Sequence, residues 1–162
     1  DPRAGNIAGL QDVLKRYRVL EVMDVGAEYP SSSYSAWRAT LRARHIPTYA
    51  LRTGAIARVG GASIAAVGPG SVFSNPVDSV GMVKISLPGR SILLSGTASV
   101  TEQRDTVFRT VSLRAGLLVS DGPLDSSFVA AVHPRAMADP LATVKGPIRI
   151  PLATGTITRL AG

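Results

Sequence analysis

Residues 75–97 read Asn75-Pro76-Val77-Asp78-Ser79-Val80-Gly81-Met82-Val83-Lys84-Ile85-Ser86-Leu87-Pro88-Gly89-Arg90-Ser91-Ile92-Leu93-Leu94-Ser95-Gly96-Thr97, and this stretch decides how the chain folds. Val80, Met82, Val83 and Ile85 make an apolar run of strand length, rich in β-branched side chains, over residues 79–86. Pro88 suits the second position of a turn and Gly89 the position after it, which takes φ > 0. Ile92-Leu93-Leu94 then returns as a second, almost wholly apolar strand over residues 91–95. The hairpin belongs in the middle of a core. Gly96-Thr97 leads from it into a helix expected over residues 99–107, and a buried strand that ends in a Gly and feeds a helix is a common place for an active site.

Outward from the hairpin, glycine punctuates a meander. Strands are expected over residues 48–52, 55–59 and 62–67, reversed at Thr53-Gly54 and Gly60-Gly61 and closed by Gly68-Pro69-Gly70; residues 71–78 form a loop. Upstream, Asn6 is the expected cap of a helix over residues 7–16 with Leu10, Val13, Leu14 and Tyr17 on one stripe. A strand over residues 19–25 and a loop over 26–33 follow. Ser33 then caps a helix over residues 34–44, with Tyr34, Trp37 and Leu41 inside and Arg38, Arg42 and Arg44 largely outside. Downstream, Leu117-Leu118-Val119 is a short buried strand broken by Ser120-Asp121-Gly122-Pro123. Asp125 or Ser126 caps a helix over residues 127–132 that His133-Pro134 stops. A strand at 135–138 and a closing hairpin at 148–151 and 156–160 complete the order. Crossover helices mixed with meanders give an α/β (α+β) class with layered sheets.

The 162 residues are one domain by size, long enough for a full core, with 45% hydrophobic and 18% charged residues. No apolar run approaches the roughly 18–20 residues of a membrane span. The absence of Cys removes disulfides, thiolate nucleophiles and Cys-bound zinc together. The net charge is +7, and residues 1–60 hold nine Lys/Arg against five Asp/Glu. Such a balance fits a polyanion such as nucleic acid or an anionic membrane surface; a solvated Arg-rich surface is the plain alternative.

The order of elements and several motifs resemble the C-terminal two-thirds of a metallo-β-lactamase-like domain, most closely that of DNA-internalisation competence proteins (ComEC-type). In that family a His-Pro-Asp-Ala-Asp-His motif precedes Ile-Gly-Gly-Leu; here the stretch reads Asp1-Pro2-Arg3-Ala4-Gly5-Asn6, then Ile7-Ala8-Gly9-Leu10. Its Asn-x-x-Ser-Val-Val-Leu strand and Leu-Leu-x-Gly-Asp strand look like residues 75–87 and 92–97. Its Leu-Lys-Val-Pro-His-His-Gly-Ser segment looks like residues 116–123, with the Ser-rich helix start at 125–132. Its later Asn-Pro pair is similar to His133-Pro134, and its closing Thr-x-x-Gly-x-Ile to Gly155-Thr156-Ile157. The likeness spans nearly the whole chain and implies an αββα layered sandwich, incomplete at the N-terminus, as a single domain over residues 1–162.

The chemistry that the resemblance implies is missing residue by residue. The family's first His falls on Asp1, its Asp-His pair on Gly5 and Asn6, its metal-bridging Asp on Thr97, and its His-His pair on Ser120 and Asp121. Zinc prefers imidazole, thiolate and carboxylate, and a hydrolase of this kind needs the cation to acidify its attacking water. These six are vestigial metal-site positions, and no catalytic residue and no metal ligand is expected. An independent count agrees: His45 at a helix end and His133 before Pro134 are the chain's two histidines, neither with a second ligand at metal spacing. Asp1, Asn6 and Asp121 converging on a hard cation such as Mg²⁺ is a weak alternative. Gly-x-Ser-x-Gly is absent, and Gly60-Gly61 and Gly68-Pro69-Gly70 lack the Lys and helix of a phosphate loop. Asp24 and Glu28 read as solvated, and Tyr34 and Trp37 as core.

The resemblance therefore implies a non-catalytic domain of a competence or DNA-uptake protein. It would lie as a soluble, extracytoplasmic appendage of a bacterial membrane protein, binding or guiding DNA or scaffolding the transmembrane channel portion of the same parent. DNA is the expected partner, through Arg38, Arg42, Arg44, Arg52 and Arg58; no cofactor and no small-molecule substrate is expected. Two rivals stand beside it. One is an active metal-dependent hydrolase or nuclease, with zinc or manganese and ligands supplied elsewhere; the other is a structural protein-interaction domain.

Overall fold

The computed structural model describes residues 4–26, 28–71, 73, 79–109, 112–139, 148–149 and 158–159. The central hairpin forms as its sequence dictates. Strands β5 (Met82–Leu87) and β6 (Arg90–Gly96) pair antiparallel from Leu87↔Arg90 to Val83↔Leu94, and Gly89 takes φ +71° at the turn. Around it lies a six-stranded mixed sheet. Strands β3 (Ile56–Val59) and β4 (Ala62–Gly68) continue antiparallel on one side of the hairpin; β7 (Leu117–Ser120) and β8 (Ala136–Ala138) run parallel to β6 on the other. Parallel neighbours need crossovers. Helix α3 (Val100–Arg109) carries the chain from β6 to β7, and α4 (Ser126–Val132) carries it from β7 to β8. The class is thus mixed α and β, as the order of elements implies.

Met82, Leu93 and Leu118, one from each central strand, are fully buried against Phe128 and Val132 of α4. Complete burial of such side chains contributes about 1.5–3 kcal/mol apiece. A second cluster joins α1 (Ala4–Arg16) to α2 (Ser32–Ala43): Ile7 and Leu14 meet Trp37 and Leu41. Gly81 lets this layer approach the sheet. A Cβ there would come within 2.7 Å of Leu51 and 3.3 Å of Val25.

The structure corrects several expectations. Helix α1 begins at Ala4, so Asn6 is an exposed residue of the first turn and not a cap. Its buried stripe is Ile7 and Leu14, with Leu10 and Val13 half-exposed and Tyr17 open, because the cluster meets α1 along a narrow seam. Helix α2 starts two residues early: Ser31, not Ser33, accepts the Tyr34 N–H at 3.1 Å. Three consecutive serines made that cap ambiguous. The strand expected over residues 19–25 shrinks to β1 (Val22–Asp24), and the first meander strand shrinks to β2 (Thr48–Ala50). These two pair with each other, parallel, from Val22↔Thr48 to Asp24↔Ala50, so residues 22–50 form a β-α-β unit and the meander begins at β3. Of the closing hairpin, β9 (Ile148–Arg149) and β10 (Thr158–Arg159) pair antiparallel. Its remaining residues, with Gly155-Thr156-Ile157 and residues 75–78 of the opening stretch, lie outside the described residues.

Candidate functional site

Strands β6 and β7 run side by side, so their C-terminal ends deliver Gly96-Thr97 and Ser120-Asp121 to one edge of the sheet. Gly96 pairs with Ser120 across a register shift, and its carbonyl accepts the Asp121 N–H at 2.8 Å. Gly96 sits at φ +54°, a left-handed conformation that lets β6 break off into the loop before α3. A Cβ on Gly122 would lie 3.7 Å from the Thr97 Cα. Three of the six positions expected from the resemblance to be vestigial metal-site positions, Thr97, Ser120 and Asp121, are thereby brought together. Gly5 and Asn6 lie in α1, and nothing among the described residues ties Asn6 to this cluster; Asp1 lies outside the described residues.

The donors at this edge do not fit zinc or manganese. Thr97 and Ser120 are neutral hydroxyls, and Asp121 supplies the one carboxylate of the three. Ser120, buried, has its hydroxyl engaged with backbone: it donates toward the Gly96 and Gly122 carbonyls at 3.4 and 3.2 Å and accepts the Gly122 N–H at 3.4 Å. The neighbouring buried carboxylate, Asp125, is also committed. It caps α4 by accepting from the Ser127 hydroxyl and from the Ser127 and Phe128 N–H groups at 2.9 and 3.3 Å, and it pairs with Arg104 Nε at 2.8 Å. The Ser127 hydrogen bond first, then Arg104 and the backbone donors, outweigh burial and hold its carboxyl down to about 2. Among the described residues no three His, Cys, Asp or Glu side chains converge.

What holds these strand-end loops is α3. Its inward face carries Glu102, Gln103 and Thr106, all fully buried. Gln103 Nε2 donates to the Ala98 and Pro123 carbonyls, each at 2.8 Å, while its Oε1 accepts the Asp125 N–H at 2.8 Å. One amide thus clamps the loop after β6 to the loop after β7. Glu102 accepts the Val80 N–H at 2.6 Å and the Ser99 N–H at 2.8 Å, and the Ser99 hydroxyl accepts the Glu102 N–H at 3.3 Å. Ser99-x-x-Glu102 is a capping box, a spacing visible in the chain that the sequence reading did not single out. Gln103 gives no comparable signal.

The five arginines expected to meet DNA do not form one patch. Arg38 is half-buried and pairs with Asp24 at 2.9 Å; Asp24 also accepts the Gly26 N–H at 2.7 Å, so it is engaged where a solvated carboxylate was expected. Arg38 and Arg42 share a cleft of about 640 Å³ with Tyr34 and Glu28. Burial first, then Asp24, raises the Tyr34 phenol. Arg44 donates to the Leu14 carbonyl at 2.5 Å, tying α2 to α1. Arg52 lines a different cleft, and Arg58 is exposed on β3. His45 and His133 both follow helices with φ of +56° and +49°, which gives each a backbone role in ending its helix.

No helix among the described residues is long and apolar enough to cross a membrane. No family model matches the chain, and no curated protein matches it.

Proposed function

We propose that the chain is a catalytically silent metallo-β-lactamase-like domain of a DNA-uptake protein, which binds or guides DNA beside the membrane channel of its parent. The observation that supports this reading is the set of protein hydrogen bonds at the strand ends, where the resemblance would place metal ligands. Gln103 joins the two loops that metal-bearing relatives would organise around their ions, and Ser120 is spent on backbone. An edge built this way is pre-formed without a cation and offers no activated water. The role that remains is binding, and the +7 charge favours a polyanion.

The test begins with metal content. The purified chain is incubated with excess Zn²⁺ and Mn²⁺, and free ion is then removed. Well under one equivalent is expected, together with binding to DNA that weakens steeply with salt. Tightly held stoichiometric metal would reinstate the hydrolase. DNA binding that is absent or insensitive to salt would remove the nucleic-acid role.

A further inference from the structure

A concentration of positive charge lies at the other end of the sheet. A cleft of about 770 Å³ opens where β6, β7 and β8 begin, and its lining includes Lys84, Arg90, Arg114 and Arg135 and no Asp or Glu. Three segments distant in sequence build it: the β5–β6 hairpin, residues 114–116 ahead of β7, and residues 133–135 between α4 and β8. None of the four cations has an ion-pair partner among the described residues, whereas Arg38, Arg104 and Arg109 each have a carboxylate. Four like charges around one cleft repel, and an anion that enters it relieves that repulsion.

The backbone beneath these side chains is rigid. Gly116 donates its N–H to the Ser91 hydroxyl at 3.2 Å, and its carbonyl accepts from the Arg135 and Ala136 N–H groups at 2.9 and 3.2 Å. The Ala115 N–H donates to the Val132 carbonyl at 3.1 Å, fixing Arg114 against the end of α4. The cations are therefore carried on positions fixed by backbone hydrogen bonds, which reduces the ordering cost of binding. No Phe, Tyr or Trp lines the cleft, and with four cations beside the single imidazole of His133 recognition falls mainly to the phosphates.

We infer that this cleft, at the end of the sheet opposite the vestigial metal edge, is the seat of a nucleic-acid phosphate backbone, gripped without regard to sequence by Lys84, Arg90, Arg114 and Arg135. The inference rests on the DNA-binding reading and assigns it a surface different from the five arginines read from the sequence. Four neutralised phosphates give a slope of log K against log salt of about −3.6 on duplex DNA, a loss of about 150-fold between 50 and 200 mM salt.

The test is fluorescence anisotropy of a labelled DNA duplex with the full chain over that salt range, with thermal melts to show that each variant is folded. Arg114→Gln with Arg135→Gln should halve the slope to about −1.8, a loss of about 12-fold over the same range. Arg114→Lys with Arg135→Lys should keep the wild-type slope, and Arg42→Gln with Arg52→Gln should leave it unchanged. If instead the Arg42/Arg52 pair lowers the slope and the Arg114/Arg135 pair does not, the cleft assignment fails while DNA binding stands. If the wild type ignores DNA, or binds only phosphatidylglycerol vesicles, both fail together.

Discussion

Replacing Gln103 by Met tests whether hydrogen bonding rather than packing holds the strand-end loops. Methionine keeps the unbranched shape and most of the volume of the fully buried side chain, so little cavity is created. Three hydrogen bonds disappear: those to the Ala98 and Pro123 carbonyls and from the Asp125 N–H. Each is worth about 1 kcal/mol net, and each group left buried without a partner adds to that. The sum is about 3–5 kcal/mol, a large share of the roughly 5–15 kcal/mol that stabilises a domain. Urea unfolding followed by circular dichroism measures it directly. For a chain of this length the melting temperature should fall by roughly 6–20 °C. Hydrogen exchange supplies a local readout, with lost protection at the Asp125 amide before global unfolding. A variant within about 1 kcal/mol of wild type, with that amide still protected, refutes the clamp.

Two further perturbations bear on the same edge. Because the Asp125 carboxyl is held to about 2 in the folded chain, its contribution is present above the unfolded value near 4 and is lost as pH falls from about 4 to about 2. Asp125→Asn, which can still cap α4, should flatten acid unfolding in that window, and an unchanged acid limb refutes the assignment. Gly96→Ala forces a Cβ into the left-handed conformation at φ +54°. Its cost should be about 1–2 kcal/mol in urea unfolding, and a neutral or stabilising result would mean that β6 does not need that break.

Local chemistry carried much of the fold. The Pro88-Gly89 turn between apolar runs marked a hairpin, Trp37 and Leu41 at helical spacing marked a core face, and Asp125 or Ser126 stood where a helix had to be capped, the structure choosing Asp125. Each depends on neighbours within a few residues, so composition and period suffice. That positions 97 and 120 carry neutral hydroxyls, weak ligands for zinc, was equally legible in the residue types themselves. What the chain alone left open is long-range. The β1–β2 partnership joins segments some two dozen residues apart, and period along either strand does not choose a partner. The inward turn of Glu102 and Gln103 is invisible in the sequence of the helix, because their burial is tolerated only when the facing loops present backbone groups to bond. Lys84, Arg90, Arg114 and Arg135 become one basic cleft only when β6, β7 and β8 line up in parallel and bring their starting ends together. Sequence determined which residues could act; the parallel register decided which of them share a site.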